Sequence, residues 1–162
     1  MILYLLRHTH AESDENIPDE RRALTDEGRA NAQALATLFR RQPLNIHTLY
    51  SSPRVRAVET ANIVAPALEV TPTITPLLDF NFSVGALGEL LRDIPPYGDV
   101  MLIGHEPTFS ECVRSLTGAS IQMKKCGLAR IDLLTANAPY RGDLLWLLPP
   151  KVVRGLALED ED

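Results

Sequence analysis

Met1-Ile-Leu-Tyr-Leu-Leu-Arg7-His8-Thr9-His10-Ala11-Glu12 opens the chain with a short apolar run that stops at an arginine and a histidine. A run of this kind reads as a strand buried on both faces, the pattern of a parallel sheet covered by helices. In open α/β sheets, ligands gather beyond the carboxyl ends of such strands. Arg7 and His8 stand at that end. Arginine offers a fixed fork of donors suited to phosphate or carboxylate, and histidine can act as nucleophile or proton carrier near neutral pH.

Outward from this strand, the chain alternates strands and helices. Residues 12–22 are charged, contain Pro18 and read as a loop on the same side as Arg7 and His8. Thr25 is an N-cap, Asp26 and Glu27 complement the helix dipole, and Ala32, Leu35, Ala36 and Phe39 form an apolar stripe. A strand over 46–50 leads through Ser51-Ser52-Pro53 into a helix over 53–67, with Val55, Val58, Ala61 and Ala65 as its expected apolar face. Residues 70–78, with Pro72 and Pro76, suit an edge strand or extended connection that delivers Asp79. A helix over 84–94 ends at Pro95-Pro96, and Asp99-Val-Met-Leu-Ile-Gly104-His105 is a second buried strand ending in a histidine. Gly104 is expected to permit a tight turn into a helix begun by Pro107. Residues 128–133 and 143–148 read as a late antiparallel pair. The expected fold is a three-layer α/β/α sandwich with a mostly parallel sheet.

With 162 residues and 45% apolar content, the chain suits one domain over residues 1–158, followed by an acidic tail, Glu159-Asp160-Glu161-Asp162. A net charge of −5 argues against nucleic acid as the partner. Cys112 and Cys126 form no CxxC pair and read as small buried side chains in a reducing cytoplasm. The apolar amino-terminal run lacks a basic flank and is too short for a signal peptide or a membrane span.

Three expected strands thus end in Arg7-His8, in Arg54 or Arg56, and in His105. Two imidazoles and two guanidinium groups on one rim make a pocket for a tetrahedral dianion, which charge-assisted donors surround while one imidazole attacks phosphorus. There is no Walker loop and no GxGxxG, and neither cofactor nor metal is expected.

Taken together, Leu6-Arg7-His8 with Ala11-Glu12, Leu24-Thr25-x-x-Gly28, Ser51-Ser52-Pro53-x-x-Arg56-Ala57-x-x-Thr60-Ala61, and Gly104-His105 resemble the histidine phosphatase superfamily, whose fold is shared with cofactor-dependent phosphoglycerate mutases. The short length and the compact Arg22-Ala-Leu-Thr25 approach resemble its SixA-type phosphohistidine phosphatases, which lack a large cap insertion. The resemblance implies a metal-independent phosphatase in which His8 takes up the phosphoryl group and water then hydrolyses the phosphohistidine. Arg7, Arg56 and His105 would hold the phosphoryl oxygens, with Arg22 adding a contact. The implied substrate is a phosphohistidine protein or a small phosphoester.

Two positions depart from the pattern. Thr9 stands where the family has a small residue, and its hydroxyl is expected to donate to phosphate. The proton donor is expected at Asp79, with Glu12 and Asp14 as substitutes. Arg54 reads as a surface helix residue and His47 as structural or exposed. The spacing of His8, His10 and Glu12 is similar to the HxHxD pattern of binuclear metallohydrolases, but those sites need more histidines than this chain has, and Arg7 beside His8 disfavours a cation. The rival functions are a mutase or small-molecule phosphatase on the same fold, and a non-catalytic phosphate-binding module.

Overall fold

The computed structural model describes residues 1–158; the expected acidic tail lies outside the described residues. Its six strands are β1 (Ile2–Arg7), β2 (Ile46–Ser51), β3 (Thr73–Ile74), β4 (Asp99–Gly104), β5 (Leu128–Leu133) and β6 (Gly142–Leu148). They form one sheet in the order β3-β2-β4-β1-β5-β6. The first four are mutually parallel, while β5 and β6 join antiparallel on the β1 side. The five helices are α1 (Asp26–Arg41), α2 (Val55–Leu68), α3 (Val84–Leu91), α4 (Thr108–Thr117) and α5 (Pro150–Leu158). No helix among the described residues is long and apolar enough to cross a membrane.

Strand pleat divides the core into two layers. Leu3, Leu5, Val100 and Leu102 project to one face and pack with Leu87 of α3 and Phe109 and Val113 of α4. Tyr4, Leu6, Met101 and Ile103 project to the other and meet Leu35 and Phe39 of α1, Ala61 and Val64 of α2, and Val153 of α5. Both faces of β1 and β4 are thus covered, which accounts for their unbroken apolar sequences.

The α1 stripe is buried as expected, and the Thr25 hydroxyl accepts the Gly28 N–H at 3.1 Å. Four features differ from the sequence reading. The buried face of α2 runs through Ala57, Thr60, Ala61, Val64, Ala65 and Leu68, leaving Val55 and Val58 at its margin. The third helix stops at Leu91, a turn before the prolines. Gly104 serves packing: a Cβ there would lie 2.7 Å from the Phe109 ring. The unanticipated α5 docks on α1, where Arg154 donates to the Asn31 side-chain oxygen at 3.3 Å.

The loop after β1 is tied to the start of α1. The Thr25 N–H donates to the His10 carbonyl at 3.0 Å and the Glu12 N–H to the Ala23 carbonyl at 2.9 Å. Gly28 lies against that same backbone, and a Cβ at this position would collide with the His10 carbonyl oxygen. In an unconstrained helix Gly→Ala is favourable by about 1 kcal/mol. Gly28→Ala should instead destabilise the fold by about 1–3 kcal/mol, as overpacking against immovable backbone does. Urea unfolding checks this, and a raised midpoint would contradict the packing described.

Candidate active site

β1 and β4 end in register, Arg7 opposite Gly104. The chain then holds its path: the His8 N–H donates to the Gly104 carbonyl at 3.1 Å, and the Cys126 N–H reaches the Arg7 and His8 carbonyls at 3.2 and 3.1 Å. Cys126 adopts a left-handed φ of 66°, uncommon for a non-glycine residue, at the turn that makes this contact. The result is a firm backbone frame around two adjacent strand ends, on which the His8 and His105 rings sit with centroids 5.1 Å apart.

His8 is buried, and its Nδ1–H donates to the Thr9 carbonyl at 2.7 Å. That bond leaves the lone pair on Nε2, where the Arg56 Nε–H approaches at 3.3 Å. Burial pushes the His8 pKa down to about 2; the Thr9 carbonyl opposes this, while the neighbouring His105, Arg56 and Arg7 add to it. His105 is pushed down to about 3, chiefly by burial and then by Arg56 and Arg54. Both rings are therefore neutral at physiological pH.

Arg56, at the start of α2, donates from Nη1 to the Asp19 carbonyl at 2.7 Å and from Nη2 to its carboxylate at 3.0 Å. Burial, with Arg22 and Arg54 nearby, lowers its pKa to about 10, so it stays charged at neutral pH. Arg7 anchors through Nη1 on the Met123 carbonyl at 2.8 Å, while its buried Nε has no protein partner. Arg22 binds the Glu12 carbonyl at 3.1 Å and pairs with the Asp19 carboxylate. Arg7, His8, Arg22, Arg56 and His105 all line one cavity of about 200 Å³. A larger cleft of about 1060 Å³, between α3 and residues 133–140, has no imidazole in its lining, so the chemistry belongs to the smaller one.

Two expected site residues lie elsewhere. Thr9 is fully buried and faces away from the cavity: its N–H donates to the Thr60 hydroxyl at 3.2 Å and its own hydroxyl lies 3.5 Å from that atom. Successive side chains on extended backbone point to opposite sides, so with His8 facing the cavity Thr9 turns into α2. Its carbonyl serves His8, and its hydroxyl is directed to Thr60 and not to the cavity. Asp79 is outside the cavity lining and bound to Arg54, whose Nε donates at 2.5 Å. Burial alone would raise its pKa, but the Arg54 and Phe80 N–H bonds and the Arg54 charge, with His105 nearby, outweigh this and hold it below the usual carboxylate range. Committed to Arg54 and standing outside the lining, Asp79 is not favoured as the acid by the structure.

Four residues that the sequence does not single out are present in the lining: Asp19, Phe80, Glu106 and Lys125. Asp19 joins Arg22, Arg54 and Arg56, with Arg54 Nη1 at 2.5 Å. Arg54 is thus part of this network, stacked 3.8 Å over the Phe80 ring, and not a surface residue. Glu106 stands next to His105 and accepts from the Ser110 N–H and hydroxyl at 3.0 and 2.6 Å. Its position directly after the histidine was the available sequence signal. His10 lies outside the lining, with Nδ1 3.0 Å from the Thr25 hydroxyl, and exposed His47 is remote on β2. Among the described residues no cluster of histidine, cysteine and carboxylate side chains could hold a metal ion.

Residues 3–90 match the histidine phosphatase superfamily (branch 1). An uncharacterized protein of Picosynechococcus sp. (strain ATCC 27264 / PCC 7002 / PR-6) is 30% identical over 92% of this chain and 100% of its own length. Among solved structures, the protein histidine phosphatase SixA complexed with tungstate superposes with a TM-score of 0.81 at 23% identity, covering 93% of this chain and 98% of that one. The mycobacterial glucosyl-3-phosphoglycerate phosphatase superposes at 0.71 and 14% identity, covering 88% and 97%. These two likenesses concern the fold.

The two buried imidazoles also tie stability to pH. Their folded pKa values lie below the ordinary 6.5, so at lower pH the unfolded chain binds more protons than the folded one. Their contribution is intact above about pH 6.5 and is lost progressively as pH falls toward the folded values. Urea unfolding between pH 7 and pH 4.5 should show stability falling on acidification, and the slope should flatten in the His8→Gln and His105→Gln variants. An unchanged slope in both would contradict their burial as neutral rings.

Proposed function

This chain belongs to the histidine phosphatase superfamily, and we propose that it hydrolyses a phosphoryl group through a phosphohistidine on His8, acting on phosphohistidine borne by a protein. The observation that carries this reading is the Nε2 lone pair of His8, fixed by the Thr9 carbonyl and facing a cavity shared with Arg7, Arg56 and His105. The lone pair attacks phosphorus as the bond to the leaving nitrogen or oxygen breaks. Water then attacks the phosphohistidine, releasing inorganic phosphate and restoring the neutral ring. The guanidinium groups of Arg7 and Arg56 neutralise the phosphoryl oxygens, which supplies most of the acceleration in this chemistry. Because burial already keeps His8 unprotonated, no general base is needed to activate it.

Support for a protein substrate comes from the open rim. The segment between β1 and α1 carries only a single 3-10 turn, Asp19–Arg21, so no large cap encloses the cavity. An open site admits a protein-borne phosphoryl group, whereas a mutase must retain and reorient its intermediate. The likeness to a protein histidine phosphatase agrees with this. A small phosphomonoester is the second reading, favoured by Glu106, a lining carboxyl directly after His105 and placed to serve a poor alkoxide leaving group. Domain organisation follows the same reading: residues 1–158 as a single catalytic unit.

Rapid quench with a labelled phosphodonor should trap acid-labile phosphate on wild-type protein and none on His8→Ala, with turnover falling at least about a thousandfold. A chelator should leave turnover unchanged. Retained activity in His8→Ala would exclude the mechanism, and phosphate binding without label would favour a binding module. In a panel of phosphohistidine peptides and alkyl phosphates, peptides should be preferred, and Glu106→Gln should slow the alkyl phosphates more than the peptides.

A further inference from the structure

His105 is almost wholly buried, and so is Ser52, the residue that follows β2. The Ser52 hydroxyl lies 2.7 Å from Nε2 of His105, while Nδ1 of the same ring is buried with no protein partner. We propose that Ser52 is a positioning residue that donates its hydroxyl proton to Nε2 and so holds His105 as the Nδ1–H tautomer, with that N–H reserved for a phosphoryl oxygen.

The direction of the bond follows from what surrounds the serine. Its Oγ receives the Arg54 N–H at 3.3 Å, and an amide nitrogen can only donate. The neighbouring Ser51 hydroxyl is committed to the Ser52 carbonyl at 3.1 Å and does not compete for Nε2. If Nε2 carried the hydrogen, Oγ would accept from both the ring and the Arg54 amide, and its own buried proton would have no assigned acceptor. If Nε2 accepts, every hydrogen in the chain from Arg54 N–H through Ser52 O–H to the ring is used. Buried polar groups are paired wherever the structure allows it, so the second arrangement is favoured.

The consequence is chemical. A neutral imidazole has one donor and one lone pair. Burial and the charges of Arg56 and Arg54 keep His105 neutral. In the wrong tautomer its free nitrogen would present a lone pair to a phosphoryl oxygen and repel it; in the right one it donates. Ser52 thus does for His105 what the Thr9 carbonyl does for His8, with opposite polarity: one partner accepts a hydrogen bond from the ring and the other donates one. This rests on the phosphoryl-transfer reading for its catalytic effect, while the tautomer itself does not.

The test is a long-range ¹⁵N–¹H correlation spectrum of the imidazole nitrogens, readable because the chain has four histidines. In wild-type protein His105 should show a protonated Nδ1 and an unprotonated Nε2. Ser52→Ala should shift it toward the other tautomer and lower kcat about tenfold or more with a smaller change in KM, as expected when an orienting partner is lost. Ser52→Thr should restore both. A wild-type His105 protonated at Nε2, or a Ser52→Ala protein with unaltered tautomer and kcat, would overturn the proposal. The wild-type spectrum needs no variant to fold. Failure of wild-type protein to hydrolyse any phosphorylated substrate would instead count against the phosphatase reading, leaving the spectrum to decide the tautomer.

Discussion

The in-register ending of two adjacent parallel strands is the constraint on which the site depends. Arg7 and Gly104 are partners at the ends of β1 and β4, so the residues that follow them, His8 and His105, emerge side by side. Nothing else in the chain needs to bring these imidazoles together. The apolar residues of both strands are packed on two faces, and slippage by one residue would exchange every side chain between the two core layers. Register is thereby secured by the whole core, and the position of the imidazoles inherits that rigidity. The amides of His8 and Cys126 then lock the backbone just beyond the strand.

On this frame, burial does two jobs. It strips water from the imidazoles and keeps them neutral, the state that the proposed roles of nucleophile and oriented donor require. It also concentrates cationic charge, since Arg7 and Arg56 lose hydration without a full complement of carboxylates beside them. Asp19 partly compensates: one carboxylate serves Arg22, Arg54 and Arg56 together and offsets the repulsion among them. An anion entering the cavity meets donors already fixed in place, and little reorganisation accompanies its binding.

Much of this was legible in the sequence for a physical reason. Strands buried on both faces are written as uninterrupted apolar runs, and a charged residue ending such a run must sit at the sheet rim. That logic found Arg7, His8 and His105, and the helix start after β2 located Arg56. The residues it misjudged are those whose direction depends on tertiary contacts. Thr9 lies one residue from His8 yet faces α2, because Thr60 offers its amide a partner there. Asp19 belongs to a charged loop without periodicity, and only the folded chain shows that its carboxylate meets three arginines. Arg54 seemed ordinary at a helix start until Asp79 and Phe80, far along the chain, enclosed it. The α5 helix docks on α1 through Val153 in the core and Arg154 on Asn31, contacts that its own short segment does not reveal.

In the proposed mechanism His8 Nε2, Arg7, Arg56 and His105 surround one phosphoryl position. A crystal structure with vanadate or tungstate bound is the decisive test. The metal centre of the oxyanion should lie adjacent to His8 Nε2, with its oxygens on both arginines and on the free ring nitrogen of His105. An oxyanion seated elsewhere, with His8 Nε2 still facing only Arg56, would contradict it.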